Sequence, residues 1–101
     1  MNCIPVEILP IAREDVDNAL ITIAADEPAA ANRLLDELLA ALDQISRFPL
    51  SAPEVMVGIR RVRRYYRVPV RHYNIYYRIV GEKIIVMRVL HQRMDAPRHL
   101  P

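Results

Sequence analysis

Residues 48–54, FPLSAPE, split the chain into two halves with different periodicities, and that split limits the folds open to it. Before this stretch, apolar residues recur at helical spacing. After it the helical period vanishes, and β-branched and aromatic residues dominate. Two prolines within seven residues prevent either pattern from running through.

In the first half, Ala12, Val16, Ala19, Leu20 and Ile23 predict a helix over roughly 11–25. Glu14, Asp15 and Asp17 sit in its first turns, where the helix dipole favours acids. Asp26-Glu27-Pro28 then interrupts. Pro28 suits the first turn of a second helix, with Asp26 or Glu27 as its cap. Ala31, Leu35, Leu38, Leu42 and Ile45 form the buried stripe of that helix, which runs to about Arg47. On its outer side Arg33 can pair with Asp36 or Glu37. So short a link predicts an antiparallel helical hairpin. Ahead of the helices, Ile4 to Leu9 alternates as a short strand. Pro5 near its start places it at a sheet edge, and Pro10 ends it.

The second half predicts three strands, about 56–67, 71–80 and 83–91. Gly81-Glu82 joins the last two as a hairpin. The stretch KIIVMRVLH, residues 83–91, is apolar on both faces, as a central strand requires. QRMDAPRHLP reads as a short tail with one irregular turn. The expected order is β-α-α-β-β-β. This is an α+β fold, a helical hairpin packed on a small antiparallel-rich sheet, with residues 1–101 forming a single domain.

The formal net charge of +2 conceals a polarity. Residues 1–54 carry ten acids against three arginines, and residues 55–101 carry eleven bases against two acids. Such a distribution sets up a surface field that steers acidic partners. All the bases but Lys83 are arginine, whose planar fork suits phosphate and carboxylate. An arginine-rich genome would give the same bias.

Several functional classes lack support. The single Cys3 forms no intramolecular disulfide, which fits a cytoplasmic location. No apolar run approaches the ~20 residues of a membrane span. The start MNCIPVEILPIARED lacks the basic-then-apolar pattern of a secretion signal. His72, His91 and His99 stand singly and far from Cys3, so no metal site is expected, nor any cofactor. Gly58 and Gly81 are the only glycines, which rules out a glycine-rich phosphate loop. Ser46 and Ser51 have no nearby histidine to activate them.

What remains is RRVRRYYRVPVR, residues 60–71. As a strand it puts Arg61 and Arg63 on one face and Arg60, Arg64, Val62 and Tyr66 on the other. Arg78 and Arg88 project from the next two strands. Tyr65, Tyr66, Tyr73, Tyr76 and Tyr77 interleave with them. This is either a platform for nucleic acid or an acidic peptide, or a set of half-buried packing residues. His91, just past a central strand, could move a proton or could simply hydrogen-bond to backbone and end the strand.

Over nearly its whole length the chain resembles the RelE/ParE superfamily of bacterial type II toxin–antitoxin toxins. The resemblance runs through PAAANRLLDEL, FPLSAPE and GIRRVRRYYRVPVRHYNIYYRIVGEKIIVMRVLHQRMD. YNIYYRI followed by VMRVLHQRMD is its most specific part. Two activities are known in the superfamily: RelE-like members cut mRNA on the ribosome, and ParE-like members are associated with poisoning DNA gyrase. No tyrosine follows Tyr77, and the only lysine, Lys83, sits in a hairpin. The resemblance therefore implies the ParE-like branch: a non-enzymatic gyrase inhibitor neutralised by a cognate antitoxin in a hetero-oligomer. The target-binding surface it implies is Arg60, Arg61, Arg63, Arg64, Arg71, Arg78, Arg88 and Arg93. The implied antitoxin groove is Val16, Leu20, Ile23, Leu35, Leu38 and Leu42. The alternative is an mRNA endonuclease using Arg61, Arg78, Arg88 and His91. Cleavage needs a 2′-hydroxyl activated and a leaving oxygen protonated, and arginine, with a pKa above ~12, does both poorly.

Overall fold

Leu9-Pro10 turns the chain from its first strand into its first helix. In a computed structural model describing residues 3–101, β1 (Val6–Ile8) ends just before Pro10. Pro10 opens α1 (Pro10–Asp26), where its missing N–H costs nothing. Glu27 alone separates α1 from α2 (Pro28–Arg47), and the two helices pack as the expected hairpin. Glu27 occupies the cap position, but its carboxylate does not cap α2. It instead accepts from Arg33 Nη2 at 3.1 Å, in place of the expected Asp36 or Glu37 pairing. Because α1 starts at Pro10, Glu14 and Asp15 lie beyond its first turn, so the dipole argument does not apply to them.

The sheet has five strands in the order β1-β5-β4-β3-β2. Its other members are β2 (Glu54–Val57), β3 (Arg63–Val70), β4 (Tyr73–Val80) and β5 (Lys83–His91). β1 runs parallel to β5 at one edge, and all the other pairings are antiparallel. The architecture is the expected α+β one with an additional strand. The stretch expected as one strand over 56–67 is a hairpin, with Val57 opposite Arg63. Gly58 is the reason. Its φ is +108°, and a Cβ there would collide with the Arg61 carbonyl oxygen, so the chain reverses at that point. Arg71 and His72 alone turn β3 into β4. Arg71 adopts φ 54° there and pairs with Glu37 of α2.

Both faces of the sheet are covered. The helical hairpin packs Ala12, Ala19, Leu34, Leu38 and Ile45 onto Tyr66, Val70, Ile75, Tyr77, Ile84, Val86 and Val89. Leu34 is fully buried where the sequence pointed to Leu35, because the helix is rotated so that Leu35 stays half in solvent. The other face carries a smaller cluster of Val57, Tyr65, Tyr76, Leu90 and Leu100. The expected tail forms α3 (Ala96–His99), which brings Leu100 into that cluster, and the Tyr65 hydroxyl donates to Pro101 O.

One ion pair ties these layers together. β1 pairs with β5 only as far as Val86, so the rest of that edge of β5 has no strand partner. Opposite Tyr76 and Tyr77, Met87 is an extra residue. This bulge turns the Val89 N–H toward the open edge. Asp15 of α1 takes the place of the missing strand. It accepts from Val89 N at 3.0 Å and from Arg88 Nε and Nη2 at 2.7 and 2.8 Å. Arg88 Nη1 reaches around the edge to His99 O at 3.1 Å, joining α1 on one face to α3 on the other. Both partners of the pair are only 14% exposed. The hydrogen bond to Asp15 and its charge raise the Arg88 pKa further above its ordinary value.

Removing Asp15 leaves a shielded guanidinium without its carboxylate and a strand N–H without a partner. D15A is expected to lose ~3 kcal/mol of stability in urea denaturation, and D15A/R88M less than the sum of the single changes. Tyr77 stacks on Tyr66 at 5.2 Å and donates to Pro49 O at 2.5 Å. Burial, then the neighbouring Tyr66, pushes its hydroxyl up to about 12 from 10.0. Its neutral form is therefore favoured in the folded state. That stability is complete below pH 10 and lost as pH rises through 12. Denaturation midpoints should fall more steeply across this window in the wild type than in Y77F.

Candidate interaction surfaces

Two surfaces stand out: an apolar groove beside the helices and an arginine-lined cleft at one end of the sheet. The groove is a cavity of about 470 Å³ between α1, α2 and the sheet. Val16 and Leu20 of α1 and Leu35, Leu38 and Leu42 of α2 line it, and Ile75, Val86 and Val89 form its floor. Leu39 stands at its mouth, 56% exposed, and Arg13 and Asp17 add polar groups. Five of the six groove residues expected from sequence thus share one cavity. Ile23 lies outside it and packs against the main core instead.

The cleft lies where β3 begins and β4 ends. It is lined by Leu50, Met56, Val62, Arg63, Arg64, Tyr66, Arg78 and Ile79, and has a volume of about 540 Å³. Alternation along β3 sends Arg64 with Tyr66 toward the helix side and Arg63 with Tyr65 to the other, so cations flank the opening from both sides. Arg78 sets its guanidinium over the Tyr65 ring, 5.7 Å from the centroid. Arg60 and Arg61 sit exposed on the loop that follows Gly58, not on a strand face. Among the described residues, Arg60, Arg61, Arg63 and Arg78 have no carboxylate within 4.0 Å, while Arg64 meets exposed Glu54 at 3.5 Å.

The remaining arginines expected at the target surface lie elsewhere. Arg71 is in the turn at the far end of β3, paired with Glu37. Arg93 follows β5, and its N–H donates to His91 Nδ1 at 3.1 Å. Arg88 is taken up by Asp15. The four groups of the nuclease alternative are not brought together. His91 pairs with Tyr73, and Arg78 lies five residues along β4 from there, ~17 Å at strand rise. His91 also packs edge-on against Tyr73, 5.2 Å between ring centroids. Tyr65, Tyr66, Tyr76 and Tyr77 are all buried, so none of them offers a stacking surface. The sequence reading did not single out the apolar half of the cleft. Leu50, Met56 and Val62 line it and are all more than half exposed, as is Ile59 on the adjoining loop. An isolated glycine inside a strand pattern was the available signal, since it marks where Ile59 and Val62 leave the sheet.

The Gly58 turn holds this loop. G58A is expected to cost about 1–3 kcal/mol in backbone strain and to speed amide exchange in residues 59–62, with exchange in α1 and α2 unchanged.

Comparison with known proteins adds to this geometry. Residues 6–96 match a family profile described as the ParE toxin of type II toxin-antitoxin system, parDE. A solved structure titled "Chromosomal ParDE TA system from P. aeruginosa" shares the fold, with a TM-score of 0.71 at 10% identity. The match covers 88% of this chain and 96% of that one. No match among curated proteins was found. No helix among the described residues is long and apolar enough to cross a membrane.

Proposed function

We propose that this chain, which belongs to the ParE toxin family of type II toxin–antitoxin systems, inhibits DNA gyrase in the cytoplasm and is held silent by a cognate antitoxin. The observation that carries this reading is the dispersal of the groups a nuclease would need. The cleft holds arginines, whose pKa above ~12 suits them to neutralise charge and unfits them to shuttle protons. Arg88 is bound to Asp15, and His91 accepts a backbone N–H at the opposite end of the sheet from Arg78. A surface of this kind holds a macromolecule; it does not cut one.

The groove suits the antitoxin. Its occupant would be an amphipathic helix laying leucine-type side chains over Val86 and Val89, with polar contacts to Arg13 and Asp17 at the rim. Toxin and antitoxin would then form a hetero-oligomer. Its apolar contacts would survive added salt, and its charged ones would weaken.

The test is supercoiling of relaxed plasmid by purified gyrase. Micromolar toxin should inhibit it, and added antitoxin should relieve the inhibition. L39D should still inhibit gyrase while binding antitoxin about tenfold more weakly or worse. Untouched supercoiling, together with discrete transcript breaks in primer extension, would overturn the proposal in favour of the ribosome as target.

A further inference from the structure

We infer that the cleft at the start of β3 docks an extended protein segment in which carboxylates alternate with aliphatic side chains, and that nucleic acid is not its ligand. This rests on the target-facing reading of the arginines and adds the chemistry of what they hold.

The charge is unmatched. Among the described residues, Arg63 and Arg78 of the cleft have no carboxylate partner, Arg64 has only exposed Glu54, and Arg60 and Arg61 stand exposed on the adjoining loop. Arg63 Nε is shielded from solvent and makes no hydrogen bond, a cost that an incoming carboxylate would remove. Phosphate would satisfy these cations equally well, so charge alone does not choose between protein and nucleic acid.

The apolar residues choose. Leu50 is 74% exposed, Met56 56% and Val62 52%, and all three line the cleft with the arginines. A phosphodiester backbone would leave this surface wet, whereas aliphatic side chains would bury it. Single-stranded nucleic acid gains its stacking energy on exposed aromatic rings. Here Tyr65, Tyr66, Tyr76 and Tyr77 are all buried, and Tyr65 is further covered by Arg78.

The sheet supplies the mode of binding. β2 is the last strand in the order, so one edge of Glu54–Val57 faces no other strand. An extended segment could hydrogen-bond along that edge. Its side chains would then point alternately toward the Met56 and Arg64 side and toward the Val57 and Arg63 side. The Met56 side offers exposed apolar surface, and the other side, where Val57 is buried, offers the Arg63 guanidinium, so a strand with aliphatic side chains on one face and carboxylates on the other fits both.

The experiment is fluorescence anisotropy on the full chain. The probes are a fluorescein-labelled peptide of alternating glutamate and leucine, its glutamine counterpart, and labelled single-stranded RNA and DNA of equal length. The glutamate peptide is expected to bind more tightly than the other three. M56S/V62S, at positions where the wild-type side chains are already exposed, should weaken it about tenfold and leave oligonucleotide binding unchanged. R63Q should weaken it several-fold. L39D, in the helical groove, should have no effect. Tighter binding of RNA or DNA, indifference to M56S/V62S, or loss of binding in L39D would each overturn the inference. Supercoiling is measured separately, so a failure of gyrase inhibition is distinguishable from a failure of peptide docking.

Discussion

The fork between Arg88 and Asp15 closes a gap that the chain's own topology creates. β1 is three residues long, so β5 runs past the end of its parallel neighbour. Beyond Val86 the edge of β5 has no strand partner, and shielded backbone groups left unpaired there are costly. Asp15 answers one such N–H directly and anchors Arg88, which in turn holds His99 O behind the sheet. The placement of α1 over β5, and with it one wall of the groove, follows from this contact. A bidentate pair with little exposure fixes orientation as well as distance, which an isolated apolar contact does not.

The two surfaces have different origins. The groove lies where Val16 and Leu20 of α1 and Leu35, Leu38 and Leu42 of α2 meet over Ile75, Val86 and Val89, with Leu39 exposed at its mouth. The cleft exists because no helix covers the beginning of β3 and the end of β4. The polarity of the chain maps onto this division. The acids lie mostly on the helices, and four arginines without a carboxylate partner, Arg60, Arg61, Arg63 and Arg78, sit at the loop end of the sheet. Acidic and basic surfaces on one small protein favour partners with complementary segments, and they fix the direction in which such a segment runs.

Much of the architecture could be read from spacing and punctuation. Pro10, Pro28 and Pro49 mark helix boundaries, Gly81-Glu82 marks a hairpin, and the doubly apolar KIIVMRVLH marks a strand with neighbours on both sides. The misreadings have local physical causes. Gly58 reverses the chain within an unbroken run of strand-forming residues, so two strands looked like one. The stripe of α2 was placed on Leu35 rather than Leu34 because its leucines come in adjacent pairs and a spacing argument fits either member. The C-terminal stretch has too few apolar residues to announce that Leu100 closes a second cluster.

Residue types and their intervals were enough to determine the helical hairpin, the antiparallel strands, the polarity of charge and the absence of a short-spaced ligand set, because these depend on near neighbours in the chain. Which arginine is free and which is spent depends on contacts between distant segments. Arg88 and Arg78 look alike as strand residues, yet one is held by a carboxylate 73 positions away and the other rests on a tyrosine ring. The burial of the tyrosines and the exposure of Leu50, Met56 and Val62 are likewise properties of packed layers. Only the tertiary structure could decide them, because a strand's alternation gives two faces without saying which of them, or how much of each, a second layer will cover.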